Sequence, residues 1–131
     1  MRDKVITSAA PAPIGPYSQA IRARGFIFAS GQIAIDPATQ QLVPGGIAEQ
    51  TEQTLKNVAN LLQAAGTNIA HIVRCVVYLQ NMDDFAAMNQ IYARVFGADP
   101  PARTTIEVSG LPLGALIEVE ATALLPHSES S

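Results

Sequence analysis

Two amphipathic helix patterns on either side of one buried strand pattern limit most strictly how this chain can fold. The segment Ile47–Ala65 carries apolar residues at steps of three and four, and Gly66 follows as a helix-ending residue. Residues 85–95 repeat that spacing before Gly97. Between them, Ile72–Leu79 is apolar, β-branched and nearly continuous, which is typical of a strand buried on both faces. The chain is therefore expected to pack helices against a sheet.

Further strand patterns flank this helical core. Residues 26–30 and 32–35 are apolar runs that Gly31 separates, and a glycine inside a strand pattern indicates a bulge or a close approach of another group to the backbone. Residues 103–108 predict a short strand after two prolines, and residues 116–125 alternate between apolar and polar side chains. The predicted fold class is α+β, a mixed sheet with both helices on one face.

The remaining segments are predicted to be irregular. Residues 1–17 contain three prolines and read as an extended, turning segment rather than an interior strand. Asp83 or Asp84 is expected to cap the second helix. At 131 residues the whole chain, 1–131, is predicted to form a single domain, with residues 126–131 as a frayed tail.

Charge and composition exclude several classes of function. Eight Lys and Arg against eleven Asp and Glu give a net charge of −3 with no basic run, so no nucleic-acid partner is expected. The longest apolar stretch, Ile72–Leu79, is short and contains Arg74, so no membrane span is expected. A single cysteine and an N-terminus without a secretion signal favour the cytoplasm. The two histidines lie far apart in the sequence, and no metal site is predicted.

Only a few polar residues stand where they could carry chemistry. Arg103 lies at the start of a predicted strand, where it could bind a carboxylate through two parallel hydrogen bonds or simply pack over the sheet edge. Glu118 shares one strand face with Glu120, and it could exchange protons in a dry cleft or face solvent. Tyr17, Ser30 and Asn89 could bind water or substrate, or make local hydrogen bonds. From these residues alone the alternatives stay open.

Six segments, in order over almost the whole chain, resemble the RidA (YjgF) family of enamine/imine deaminases. The matching segments are residues 14–20 (IGPYSQA), 29–33 (ASGQI), 53–58 (QTLKNV), 88–92 (MNQIY), 101–104 (PART) and 117–121 (IEVEA). This resemblance implies a chorismate-mutase-like fold of the Bacillus type. It also implies a homotrimer with a barrel-like core and clefts between subunits.

The resemblance further implies hydrolysis of 2-aminoacrylate, 2-iminobutanoate and similar imines to 2-keto acids and ammonia, without a cofactor. Such compounds are released by pyridoxal-phosphate enzymes, which the reaction protects from damage. Carried over by position, Arg103 would hold the substrate carboxylate and Glu118 would activate water and return a proton. The substrate-binding residues would be Tyr17, Ser30, Gly31, Asn89 and Thr105.

One departure from the family pattern concerns the end of the fifth segment. Thr104 and Thr105 stand where close relatives often carry Ser and Cys, so a reactive pocket thiol is missing at Thr105. Two other functions remain open at this stage. One is a non-catalytic module that binds small carboxylated metabolites or acts as a chaperone through the same cleft. The other is a hydrolase for a different enamine. The presence of Arg103 disfavours the non-catalytic module.

Overall fold

The structure is a computed structural model that describes residues 1–126. Within this range the chain forms two α-helices and eight β-strands, joined by loops and three short 3-10 turns. The elements are β1 (Arg2–Val5), β2 (Ala20–Ala23), β3 (Phe26–Gln32), β4 (Ile35–Asp36), β5 (Gln41–Leu42), α1 (Ile47–Ala65), β6 (Ile72–Leu79), α2 (Phe85–Phe96), β7 (Ala102–Glu107) and β8 (Ile117–Leu124). Of the predicted tail, only Pro126 lies inside the described residues.

Six strands form one mixed sheet in the order β1-β2-β3-β8-β6-β7, and β4 pairs only with β5. Neighbouring strands are antiparallel except β6 and β7, which α2 connects as a parallel crossover. The register between β3 and β8 shifts between Ala29 and Gln32. This shift confirms the predicted irregularity at Gly31.

One face of the sheet is covered by both helices. Leu55 and Val58 of α1 and Met88 of α2 are at most 2% exposed, and they share one apolar cluster with strand residues such as Val77 and Val119. Because both helices contribute to this cluster, the predicted α+β arrangement of two helices on a mixed sheet is confirmed. Neither of these two helices is long and apolar enough to cross a membrane.

The C-terminus of α1 is as predicted from the sequence, whereas the N-terminus of α2 differs from the prediction. Gly66 ends α1 in the left-handed conformation, with φ of 101°. Asp84 is the residue that precedes α2, but its side chain makes no capping hydrogen bond. Instead, Asn81 accepts a hydrogen bond from the Asp83 N–H at 2.9 Å and caps the 3-10 turn before the helix. Asp84 therefore occupies the predicted cap position of α2 without a side-chain hydrogen bond, and the side-chain cap is made by Asn81 one turn earlier.

The N-terminal segment contains a strand that the sequence did not reveal. β1 pairs with β2 at the edge of the sheet, so residues 1–17 are not irregular throughout. The three prolines exclude only an interior strand, and all three follow β1 in the sequence. Both strands have four residues and alternate poorly, which explains why no periodic pattern marked them.

The prediction that β6 is buried on both faces is wrong for the single chain. Only the helix-covered face is closed, and Val73 of β6 is 41% exposed. The opposite face of the sheet carries further exposed apolar side chains, and we call it the open face. It includes Phe26, Phe28, Ile106 and Leu124. The continuous apolar pattern of β6 therefore includes side chains on the open face, which a single chain leaves exposed.

Candidate active site

Four of the predicted site residues lie together where β3 and β8 meet the connection between β1 and β2. Tyr17, Ser30, Gly31 and Glu118 line an opening of about 260 Å³. Glu118 and Gly31 also line a smaller, more enclosed cavity of about 40 Å³ beneath it. The sheet register places the glutamate of β8 beside the bulge of β3, which brings these residues together.

Gly31 leaves the space that the Glu118 side chain occupies. A Cβ atom added at position 31 would overlap the Glu118 carboxylate and lie 2.8 Å from its Cδ. The backbone of Gly31 does not need the left-handed conformation, so the close approach of Glu118 alone requires a glycine here. The sequence pattern predicted a bulge or a close approach of another group to this backbone, and in the structure the Glu118 carboxylate is that group.

Glu118 is half-buried, and its surroundings favour the protonated acid. Burial first, and the negative charge of Glu120 second, raise the pKa of Glu118 above its ordinary value of 4.5. Glu120 is engaged elsewhere, because the Tyr78 hydroxyl donates to its carboxylate at 2.5 Å, and this bond helps raise the pKa of Tyr78 to about 12. Glu118 accepts no hydrogen bond from residues 1–126, so its carboxyl group is available to a ligand or water.

The hydroxyl groups of Ser30 and Tyr17, beside Glu118, each make one hydrogen bond with the local backbone. Ser30 Oγ donates to the Ser18 carbonyl at 2.7 Å, and the Ser30 N–H donates to the Gln19 carbonyl at 3.0 Å. The hydroxyl oxygen of Tyr17 accepts from the Ile14 N–H at 3.2 Å. Tyr17 can therefore still donate its hydroxyl proton, and Ser30 can still accept.

Arg103 presents a cation without a protein anion. Its guanidinium carbon lies 4.6 Å from the ring centre of Tyr92 and 5.7 Å from that of Phe85, and one N–H group is 3.9 Å from Met88 Sδ. These three residues lie on one stripe of α2, so the helix holds the guanidinium on aromatic and thioether groups. No carboxylate within residues 1–126 forms a salt bridge with Arg103, which leaves its hydrogen-bonding edge free for an external anion.

Asn89 joins Arg103, and Thr105 lies nearby on the same strand. Arg103, Asn89 and Tyr92 line a cleft of about 390 Å³ between α2 and the start of β7, whose other walls are mostly apolar. Thr105 lines none of these cavities, but it shares the strand face of Arg103 because side chains alternate along β7. Its hydroxyl oxygen is buried without a hydrogen-bond partner among the described residues.

The residues around Arg103 and the residues around Glu118 lie on opposite faces of the sheet. Arg103 pairs with Cys75 across β6 and β7, and Cys75 is buried on the helix-covered face. Glu118 pairs with Tyr78 across β6 and β8, three residues further and therefore on the open face. One chain thus gathers Tyr17, Ser30, Gly31 and Glu118 in one place and Arg103, Asn89 and Thr105 in another, but it does not bring the two groups together.

Two residues that shape these sites, Tyr92 and Gln19, were not identified as site residues from the sequence. Tyr92 appeared only within the apolar helix stripe and a matching segment, yet its ring lies under the Arg103 guanidinium. Its position three residues after Asn89, on the same side of α2, was the available indication. Gln19 appeared only within a matching motif, although its side chain bonds four backbone groups. Among residues 1–126, no group of three His, Cys, Asp or Glu side chains could hold a metal ion.

Comparisons with known proteins agree with this architecture. The family model of endoribonuclease L-PSP matches residues 7–125. A RutC family protein of Pyrococcus horikoshii is 50% identical over 94% of this chain and 98% of its own. The mouse 2-iminobutanoate/2-iminopropanoate deaminase is 44% identical over 95% and 92% of the two chains. The solved structure of a Rid family protein of unknown function from Yersinia pestis gives a TM-score of 0.91 at 46% identity, covering 95% of this chain and 99% of the other.

Proposed function

The chain belongs to the endoribonuclease L-PSP family, which is the RidA (YjgF) family, and from this premise we propose that it hydrolyses reactive 2-imino acids to 2-keto acids and ammonia. The single observation that carries the proposal is the guanidinium of Arg103, which is half-buried, supported on aromatic rings and free of any carboxylate within residues 1–126. A half-buried cation without a protein partner is suited to an anionic ligand.

In this proposal Arg103 binds the substrate carboxylate through two parallel hydrogen bonds. A lysine could not reproduce that planar, two-pronged geometry. Asn89, in the same cleft, would add a polar contact from α2. The buried, unpartnered hydroxyl of Thr105 and its backbone would supply further hydrogen bonds to the same end of the substrate.

Glu118 would act on the imine carbon. Its carboxylate would take a proton from water as the water oxygen bonds to that carbon and the C=N double bond becomes single. Glu118 would pass that proton to the imine nitrogen, giving a neutral carbinolamine. Glu118 would then take the proton of the carbinolamine hydroxyl and transfer it to the amine nitrogen as the C–N bond breaks, so that the oxygen forms the keto group and ammonia leaves. The raised pKa of Glu118 suits this exchange, since a proton is both accepted and returned.

The two groups must come from different copies of the chain, because they lie on opposite faces of one sheet. The exposed apolar side chains of the open face support burial against other copies, and Phe28 there is 48% exposed. A homotrimer with a barrel-like core would cover these faces and join Arg103 of one copy to Glu118 of the next. The chorismate-mutase-like classification belongs to this same proposal.

The source of the substrate would be pyridoxal-phosphate enzymes that release 2-aminoacrylate or 2-iminobutanoate, and the protein would remove these compounds before they do damage. No cofactor is needed, because the imine carbon is already electrophilic. A net charge of −3 supports a small-molecule substrate rather than a nucleic acid.

Threonine dehydratase coupled to this protein tests the function. We expect the purified protein to accelerate the appearance of 2-ketobutanoate from threonine, and we expect the Arg103→Ala variant not to do so. Equal rates with wild type, variant and no added protein would overturn the deaminase proposal. Binding of a 2-keto acid without acceleration would favour the non-catalytic module.

A further inference from the structure

The segment between β1 and β2 covers Glu118. We call residues 6–19 the arm. It contains no charged side chain, has three prolines and forms neither helix nor strand. Pro11, Ile14 and Tyr17 of the arm line the cavity of about 40 Å³ that also contains Glu118 and Gly31. The arm is therefore an uncharged wall placed beside a carboxyl group.

This wall is one of the surfaces that bury the carboxyl group. Burial is the largest cause of the raised pKa of Glu118, and the charge of Glu120 is the smaller one. Tyr78 faces Glu118 across the strand pair, and its own pKa is raised to about 12. Arg74 lies further along the same face of β6 and acts on Tyr78, and in the proposed assembly Arg103 of the neighbouring copy is the cation that would reach this site.

One buried side chain bonds the arm in several places. The Gln19 amide nitrogen donates to the carbonyl oxygens of Pro11 at 2.9 Å and Thr7 at 3.0 Å, with the Ala10 carbonyl at 3.4 Å. Its amide oxygen accepts from the Thr7 N–H at 2.9 Å. Gln19 is only 3% exposed. A single amide thus links the first half of the arm to the residue that precedes β2.

The remaining attachments of the arm lie at its C-terminal end and at the surface. Ser30 donates to the Ser18 carbonyl at 2.7 Å and to the Gln19 carbonyl at 3.0 Å, which fixes the end of the arm next to β2. Asn60 of α1 donates to the Ala9 carbonyl at 3.1 Å, and Gln40 accepts from the Ala12 N–H at 3.3 Å, both at the surface. Surface hydrogen bonds compete with water, whereas removing a buried partner leaves backbone groups unsatisfied at a larger cost. The Gln19 side chain therefore contributes most to holding the first half of the arm.

We propose that Gln19 is a positioning residue, whose side-chain amide holds the arm beside Glu118 and so keeps bulk water from one side of the catalytic carboxyl group, while the opening of about 260 Å³ admits the reacting water. The proposal rests on the role of Glu118 in the proposed function. Gln19 also lines the cavity of about 40 Å³, but its amide atoms bond the arm, so it acts on Glu118 through the wall of Pro11, Ile14 and Tyr17.

Titration of Glu118 in the full chain tests this inference without depending on enzyme activity. The ¹³C NMR signal of the Glu118 carboxyl group would be followed against pH in wild type and in Gln19→Met, which keeps the side-chain length but not the hydrogen bonds. We expect the Glu118 pKa in the variant to fall towards 4.5, because an open arm admits water. The acid limb of the deaminase pH profile should move down with it, and kcat/KM should fall about tenfold.

Thr67→Val is the matched control. It removes one buried hydrogen bond, from the Thr67 hydroxyl to the Leu124 carbonyl at 2.7 Å, at a position that lines neither opening around Glu118. It should lower stability without moving the Glu118 titration. If Gln19→Met does not fold, Gln19→Asn, which withdraws the amide by one methylene, supplies the same comparison.

An unchanged Glu118 titration in a folded Gln19 variant would overturn the positioning role. A lowered pKa in a protein that shows no deaminase activity would keep the positioning role and reject the proposed function. Equal downward shifts in the Gln19 variant and in Thr67→Val would assign the effect to general loosening and overturn the inference.

Discussion

The Glu118 carboxylate lies over Gly31 in the volume that any side chain at position 31 would need. This relationship joins the bulge of β3 to the start of β8 and fixes where the proposed catalytic carboxyl group can be. Because Gly31 does not adopt a left-handed backbone, its identity is explained by this contact and by nothing in its own conformation.

A methyl group at position 31 should therefore move Glu118 rather than unfold the chain. Gly31→Ala displaces the end of a flexible side chain, so we expect a change of only a few degrees in Tm. Deaminase kcat/KM should fall by about 10²-fold, since a misplacement of about 1 Å at a reacting group can cost that much. Coupled keto-acid assays and thermal unfolding measure the two effects.

Gly110→Ala is the control for that substitution, because a Cβ at position 110 meets no atom within 4 Å. It should leave both the activity and the Tm close to those of wild type. Full activity in Gly31→Ala would contradict the requirement for this placement of Glu118.

The guanidinium of Arg103 should be irreplaceable by another cation. Loss of charge-assisted hydrogen bonds worth about 1.5–3 kcal/mol predicts that Arg103→Lys loses roughly 10- to 100-fold in kcat/KM, and Arg103→Ala at least as much. The exposed Arg94→Ala on the outside of α2 is the charge-matched control. An Arg103→Lys variant with wild-type kcat/KM would remove the argument for two-pronged carboxylate binding.

The Glu118 carboxyl group should lower the free energy of unfolding at neutral pH. Its folded-state pKa lies above the ordinary 4.5, so the folded chain binds more protons than the unfolded chain between those two values. The contribution of the neutral acid is complete below pH 4.5 and is lost as pH rises through the folded pKa. Glu118→Gln should therefore unfold at a higher temperature than wild type at pH 7, and the difference should shrink towards pH 4. A lower Tm for the variant at pH 7 would show that the ionised carboxylate is stabilised.

Much of the fold could be predicted, because its main elements bury one periodic face. α1, α2 and β8 repeat apolar residues at the spacing of their element, β6 is a nearly continuous apolar run, and all four lie close to the predicted bounds. β1 and β2 could not be recognised, since short strands near a sheet edge have almost no periodic pattern.

The sequence alone could not predict that Arg103 and Glu118 lie on opposite faces of the sheet. The sequence indicates Arg103 and Glu118 as individual candidates, but their faces depend on the pairing of β7 and β8 with β6. The bonds of Gln19 were hidden for a similar reason, because their partners belong to an irregular segment without a pattern.

Complementation between two inactive variants tests the central claim that Arg103 and Glu118 of different copies form one site. Arg103→Ala and Glu118→Gln chains, co-expressed with different tags and purified as mixed oligomers, should regain activity. In a cyclic trimer that contains both chains, one of the three sites combines an intact arginine with an intact glutamate, so about a third of wild-type activity is predicted. Mixed oligomers as inactive as either parent would contradict a site shared between copies.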